Sequence, residues 1–312
     1  MFKKEGFKSV NLDDVGDVFF ATQLEFVQAE VYNFKYPQMK AFQYIPINYN
    51  IDPGAEFVSA TGFQSVGRAR IINSYADDLP EAGILGTQLT SRVMGIGTSY
   101  RYSHQEIRAA RMANLPLPTR LAEAARMAND QKINDLAISG DTQAGLYGLV
   151  NNPNVPVVTV PADGVGASTL WSTKTPEQIL RDLNLIANQI VVNSNGVEVP
   201  DTLLLPLEQY TLIASTPRSN IGDMTILQFF LLNNQFITTV DWMPQLSGAG
   251  VNGADVMIAY NRSRTNLEMQ IPLAFTQHNP QERNLEFVIP CESRFGGVRI
   301  YYPLSMVIGE GI

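Results

Sequence analysis

Apolar and polar residues change their spacing along the chain, and each change predicts a different kind of element. Between residues 17 and 32 apolar residues recur at helical intervals, which predicts a short helix that Pro37 limits. From residue 41 to residue 102 apolar and polar positions alternate, as around Ile45 and Ile47, and glycine and proline interrupt the middle. This stretch predicts extended strands without a long helix. Two extended strands alone are only marginally stable in water, so this stretch must lie on its own domain or on a neighbouring copy of the chain.

Helix-start signals follow the alternating stretch. Ser103 and Glu106 fit the S-x-x-E capping box, in which each side chain accepts a hydrogen bond from the other residue's backbone. The helix that they predict is interrupted by Pro116 and Pro118, resumes, and ends near Gly140.

The middle and the last third of the chain mix helices and strands. Thr175, Pro176 and Gln178 predict a second capped helix, with an apolar stripe from Ile179 to Ile190. The other predicted elements are strands at 155–160, 202–205, 237–242, 256–260, 267–273, 285–289 and 298–302, and helices at 207–214 and 224–233. The predicted fold class is therefore α+β.

The charge pattern narrows the function. Charged residues make up 17% of the chain, against roughly 25% in a typical soluble domain, which indicates a surface partly hidden against partners. The net charge of −8 argues against a duplex-binding face, and Lys3, Lys4 and Lys8 form the only basic arm. The first 20 residues lack the apolar core of a signal peptide, and no apolar run approaches the roughly 18 residues of a membrane span.

Candidate catalytic and metal-binding chemistry is sparse. The single cysteine, Cys291, has no intrachain disulfide partner, and with only His104 and His278 a Cys/His metal cluster is unsupported. Cys291 is predicted to be a small core residue. The glycine-rich segments 95–97 and 164–168 lack the ending of a phosphate-binding loop. We therefore predict no catalytic residue, no cofactor and no metal, and an intracellular, reducing compartment.

Mixed charges lie in the middle of the alternating stretch. They are candidate contacts between subunits: Arg68, Arg70, Arg92, Asp77, Asp78 and Glu81.

The order of an extended arm, a long capped helix, an α+β middle and returning strands resembles the tailed-bacteriophage major capsid proteins of the Hong Kong type, whose fold is shared with encapsulin shells. The resemblance covers nearly the whole chain, and the stretches 145–153 and 292–303 contribute most of it. It implies the following division: an N-terminal arm at 1–40, an extended loop at 41–102, a peripheral domain with the spine helix at 103–140 and 266–312, and an axial domain at 141–265.

The resemblance also implies a function. The chain would be a non-enzymatic subunit of an icosahedral capsid, forming hexamers and pentamers that enclose double-stranded DNA without sequence-specific binding. It would be located in the virion capsid and assembled in the bacterial host cytoplasm, with scaffolding, portal or decoration proteins as possible partners and no membrane association. Some relatives cross-link through a lysine of the extended loop, but no lysine lies between Lys40 and Lys132 here, which predicts non-covalent contacts. An encapsulin-like shell around a cargo enzyme is the main alternative, and an unrelated α+β enzyme is a third.

Overall fold

The computed structural model describes residues 37–70, 81–113, 116–219 and 224–312. The helix predicted at 17–32 therefore lies outside the described residues. The helices are α1 Ala41–Tyr44, α2 His104–Met112, α3 Leu117–Ser139, α4 Pro176–Asn193, α5 Leu207–Ser215 and α6 Ile226–Asn233. The strands are β1 Ile47–Asn48, β2 Phe57–Val66, β3 Gly83–Arg92, β4 Met94–Ser103, β5 Val157–Thr159, β6 Thr202–Leu205, β7 Thr239–Trp242, β8 Val256–Tyr260, β9 Leu267–Gln270, β10 Leu273–Gln277, β11 Gln281–Arg283, β12 Glu286–Phe295, β13 Val298–Ile300 and β14 Met306–Glu310.

Side-chain caps begin three of the described helices, α2, α4 and α6. The Ser103 hydroxyl accepts from the Glu106 N–H at 3.2 Å, while the Glu106 carboxylate accepts from the Ser103 N–H at 2.7 Å. The capping box at Thr175 and Gln178 is also present, and a third opens α6. As predicted from the two prolines, α2 and α3 are separate helices, because Pro116 occupies the cap position of α3.

The middle of the chain contributes most strands of a mixed five-stranded sheet, whose order is β5-β14-β8-β6-β7. The stripe of α4 is fully buried in the core on this sheet: Ile179, Leu183, Ile186 and Ile190. The sequence did not predict β14, which pairs with β8 and β5 inside this sheet.

A second sheet pairs the long strands β4 and β12 antiparallel over ten residues, with β10 and β11 on the other side of β12. The sequence ended this strand at Ile289, before Pro290, whereas β12 continues to Phe295. Pro290 is tolerated because β12 changes partner there, from β11 to β10, so the missing N–H interrupts no ladder pair on that side. Cys291 is 3% exposed and packs with Ala125 of α3, which confirms its predicted place in the core.

A third sheet, β1-β9-β13, includes part of the predicted extended loop. The Ala41 N–H donates to Asn134 of α3 at 3.0 Å, and Ile47 pairs with Met269. Residues 41–48 therefore belong to the folded body. The predicted strand 267–273 divides between two sheets, because Pro272 separates β9 from β10.

The two stretches on which the resemblance mainly rested touch each other. The Val298 N–H donates to the Tyr147 carbonyl at 2.7 Å. Gly297 has a φ of 79°, and a Cβ there would lie 2.8 Å from the same carbonyl oxygen, so only glycine fits. This junction joins the turn after α3 to the start of β13.

Candidate assembly surface on the arm

Strands β2 and β3 form an antiparallel hairpin, here called the arm. Their register runs from Phe57 opposite Arg92 to Val66 opposite Gly83, and among the described strands they pair only with each other. Ten residues at about 3.4 Å each give the arm a length of roughly 34 Å. A two-stranded ribbon of this kind needs a further surface for stability.

Large apolar side chains are exposed on both faces of the arm, with Val66 and Leu85 on one face and the two phenylalanines on the other. Because side chains alternate along a strand and paired residues share a face, Phe57, Phe63 and Ile84 lie on the same side, here called the outer face. Phe63 is 77% exposed and Ile84 is 72% exposed. Exposed apolar side chains grouped in this way mark a protein interaction surface.

The opposite, inner face lies near the body of the protein. Ala60 and Leu89 line a cavity of about 330 Å³ with Thr265, Tyr301 and Tyr302. The Tyr301 hydroxyl donates to Glu268 at 2.6 Å, and burial together with this hydrogen bond raises the pKa of Tyr301 to about 12. The Tyr301 hydroxyl in the cavity wall is therefore neutral at physiological pH.

A buried arginine holds the base of the arm. Arg299 of β13 is 6% exposed and donates to the Ser91 hydroxyl at 2.6 Å and to the Val58 carbonyl. Ser91 in turn donates to the Gln270 side chain at 2.9 Å. The arm therefore leaves the body from a fixed point.

Two further hydrogen bonds hold the chain segments at the base of the arm. The Val93 N–H donates to the Glu56 carbonyl at 2.8 Å, and Arg294 donates to the Pro53 carbonyl. Both ends of the arm are thus tied to the strands β12 and β13 or to each other.

Six charged residues are proposed as subunit contacts, and the four that the structure describes do not form one cluster. Arg68, Arg70 and Glu81 are exposed beyond the far ends of β2 and β3, whereas Arg92 is exposed at the base. Asp77 and Asp78 lie outside the described residues.

The sequence prediction missed the apolar outer face and Arg299. The spacing of Phe57 and Phe63, six residues apart in an alternating segment, was a usable signal for the outer face. Arg299 gave none, because its partners are distant in sequence.

The remaining candidate chemistry is dispersed. His104 lies 3.6 Å from Glu282 and His278 lies 3.0 Å from Glu292, both at exposed positions. Burial raises the pKa of the Cys291 thiol. Within the described ranges, no three His, Cys, Asp or Glu side chains are grouped to hold a metal ion. No described helix is both long enough and apolar enough to cross a membrane.

Comparison with solved structures places this fold among virus-shell proteins. The chain is similar to the capsid of Myoviridae phage XM1, with a TM-score of 0.82, 18% identity, and coverage of 95% of this chain and 100% of that chain. It is also similar to the capsid of an empty GTA particle, with a TM-score of 0.66, 7% identity, and coverage of 96% and 99%. A virus-like particle from Pyrococcus furiosus matches with a TM-score of 0.54, 11% identity, and coverage of 86% and 90%. The comparison with curated proteins gave no significant match.

The fold is that of the tailed-phage capsid proteins. Residues 67–312 match the major capsid protein family, and the chain belongs to that family. It is a structural subunit that self-assembles into a capsid, as the resemblance implied.

Proposed function

We propose that copies of this chain associate through the arm into hexamers and pentamers, which close into an icosahedral shell around double-stranded DNA. The observation that supports this most directly is the exposed apolar outer face on an arm anchored by Arg299. Such a face is costly to leave in water, so a neighbouring copy is its natural cover.

The arm favours ring formation. An arm that lies on a different surface of the next copy makes a head-to-tail contact, and repeated head-to-tail contacts close into rings when the rotation permits. In this proposal Arg68, Arg70, Arg92, Asp77, Asp78 and Glu81 contact neighbouring subunits.

A second apolar surface supports the proposed axial domain at 141–265. Helix α6 is apolar on most of its circumference, and Leu232 is 73% exposed. A helix of this kind is normally buried on several sides. We place this surface against neighbouring copies near the centre of a capsomer.

The charge of the chain suits a container for DNA. With a net charge of −8, the shell wall repels a polyanion and confines it without strong adsorption. Assembly would take place in the bacterial host cytoplasm, with scaffolding, portal or decoration proteins as further partners.

The arm can be tested by shortening it at a register pair. Ser59 lies opposite Thr90, so joining these two residues through an Asn-Gly turn removes the outer part of the arm but keeps Val58 and Ser91 for Arg299. The expected product is a folded chain that forms no closed shells in electron microscopy. Closed shells from this variant would overturn the proposed role of the arm.

Two double variants test the role of the outer face directly. Phe63→Ser with Ile84→Ser removes two of the three large apolar side chains of the outer face, while Thr61→Ala with Gln88→Ala alters a polar pair on the same face. Only the first variant should lose assembly. The contents of native particles then separate DNA packaging from an encapsulin-like role, because a protein-filled particle without nucleic acid would favour the latter.

A further inference from the structure

Basic charge is concentrated on one part of this acidic chain. Between residues 93 and 122 the sequence contains four arginines and one acidic residue, whereas the whole chain has a net charge of −8. The arginines are Arg101 in β4, Arg108 and Arg111 in α2, and Arg120 in α3.

These arginines are not neutralised within the described part of the chain. Arg101, Arg108 and Arg111 are exposed and Arg120 is half-buried, and none of the four side chains makes a hydrogen bond or ion pair with a described residue. The acids nearest to the start of α2 have other partners: the Glu106 carboxylate accepts from the N–H and the hydroxyl of Ser103, and Glu282 lies 3.6 Å from His104. That capping bond lowers the pKa of Glu106, so it stays ionised at the helix start rather than pairing with an arginine.

Helix α2 presents its arginines as a pair. Arg108 and Arg111 are three residues apart, so they lie one helical turn from each other on the same side. Helix α2 has no buried residue. The pair therefore stands on an element that is open to a partner.

We propose that Arg108 and Arg111, together with Arg101 and Arg120 on the elements before and after α2 in the chain, form a phosphate-contacting surface for nucleic acid inside the shell. This inference rests on the proposed function. Guanidinium groups bind phosphate oxygens in a bidentate geometry and carry their charge at any physiological pH. Four such contacts are few, so the binding is sequence-independent, weak and sensitive to salt.

A lipid surface fits these residues less well. Helices that lie in a membrane interface carry large apolar side chains opposite their basic face. In α2 the apolar residues are Ile107, two alanines and Met112, and Ile107 is half-buried. Met112 is therefore the one large apolar side chain of α2 that is highly exposed, at 93%.

The test measures binding of the unassembled full chain to a dye-labelled DNA duplex by fluorescence anisotropy at several salt concentrations. Four phosphate contacts predict that affinity falls about 150-fold between about 50 and about 200 mM salt, because each contact contributes about 0.9 to the slope. The variant Arg108→Gln with Arg111→Gln should bind more weakly, and its affinity should fall only about 12-fold over that range.

A matched control removes the same charge elsewhere. Arg126 and Arg264 are exposed, and each already pairs with a carboxylate four residues away. Arg126→Gln with Arg264→Gln should therefore leave the salt dependence unchanged. Circular dichroism of both double variants checks that the fold is retained.

Other outcomes overturn the inference. Equal salt dependence in the wild type and the Arg108/Arg111 variant, or wild-type binding to phosphatidylserine vesicles but not to the duplex, excludes a nucleic-acid surface. Loss of shells in the Arg108/Arg111 variant with unchanged duplex binding would assign these arginines to contacts between copies. Electron microscopy of the wild type tests the proposed function separately, since shell formation does not require duplex binding.

Discussion

Arg299 donates a hydrogen bond to the Ser91 hydroxyl at 2.6 Å and so joins two strands whose residues are 208 positions apart in the chain. The guanidinium is buried, and it also donates to the Val58 carbonyl on the other strand of the arm. One side chain thus contacts both strands at the base of the arm. The direction in which the arm projects depends on this contact.

Arg299→Ala should loosen the arm and lower the free energy of unfolding by about 1 to 3 kcal/mol, because Ser91 and Val58 would lose a buried donor. Hydrogen exchange should become faster in β2 and β3 than in the five-stranded sheet. Arg264→Ala is the control, since Arg264 is more than half exposed and its removal should change stability by less than about 0.5 kcal/mol. Unchanged exchange in the arm would show that Arg299 does not hold it.

The buried ion pair between Lys174 and Asp182 gives a second prediction. Both side chains are fully buried, with 2.5 Å between the Lys174 Nζ and the Asp182 Oδ2, and Lys174 also donates to the Pro161 carbonyl at 2.8 Å. Asp182→Leu alone should destabilise the chain by about 3 to 5 kcal/mol, because it leaves a buried ammonium without its nearest partner. Adding Lys174→Met should recover much of that loss, as measured by urea denaturation. A double variant less stable than Asp182→Leu would contradict this reading of the pair.

Acid should weaken the contact between α1 and β7. Burial by itself opposes ionisation of Asp241, but hydrogen bonds from Lys40, Tyr44 and the Trp242 N–H outweigh it and lower its pKa. A carboxyl with a lowered folded pKa stabilises the fold above its unfolded pKa of about 3.9, and this contribution is lost as pH falls through the folded value. The stability advantage of the wild type over Asp241→Asn, measured by urea denaturation, should therefore shrink below about pH 5. An advantage that stays constant down to about pH 2 would exclude the proposed linkage.

Purified shells should fall apart into single chains when boiled in detergent. The sequence has no lysine between Lys40 and Lys132, so the arm has no amine for an isopeptide bond. Denaturing gel electrophoresis should show one band at the mass of the chain. A ladder of covalent multimers would show that another residue supplies the cross-link.

Local signals in the sequence predicted the helices well. The capping boxes at Ser103 and Thr175 fixed the starts of α2 and α4, because a cap is a contact between residues three positions apart. The proline pair likewise predicted the break between α2 and α3.

Non-local pairing explains what the sequence did not reveal. Pro290 suggested a strand end, yet the strand continues because its neighbours change at that residue. β14 contains Gly309, which weakens a local strand signal, and a Cβ at that position would lie 2.8 Å from Met257 on the paired strand. The close approach that requires this glycine exists only after the sheet has formed.

The same contrast between local signals and non-local contacts applies to the assembly surface on the arm. The alternation of apolar and polar residues in β2 and β3 predicted extended strands. It did not predict that Arg68 and Arg92 lie at opposite ends of the arm. The anchor at Arg299 depends on chain segments that meet only in the folded protein.

The position of β14 also sets a time order for biosynthesis. This strand lies between β5 and β8, so the five-stranded sheet cannot be completed until residue 310 has left the ribosome. At about 5 to 20 residues per second, β5 waits roughly 8 to 30 seconds for its partner. Throughout that interval the arm has already been synthesised, so its exposed apolar side chains are present before the sheet of the body is complete.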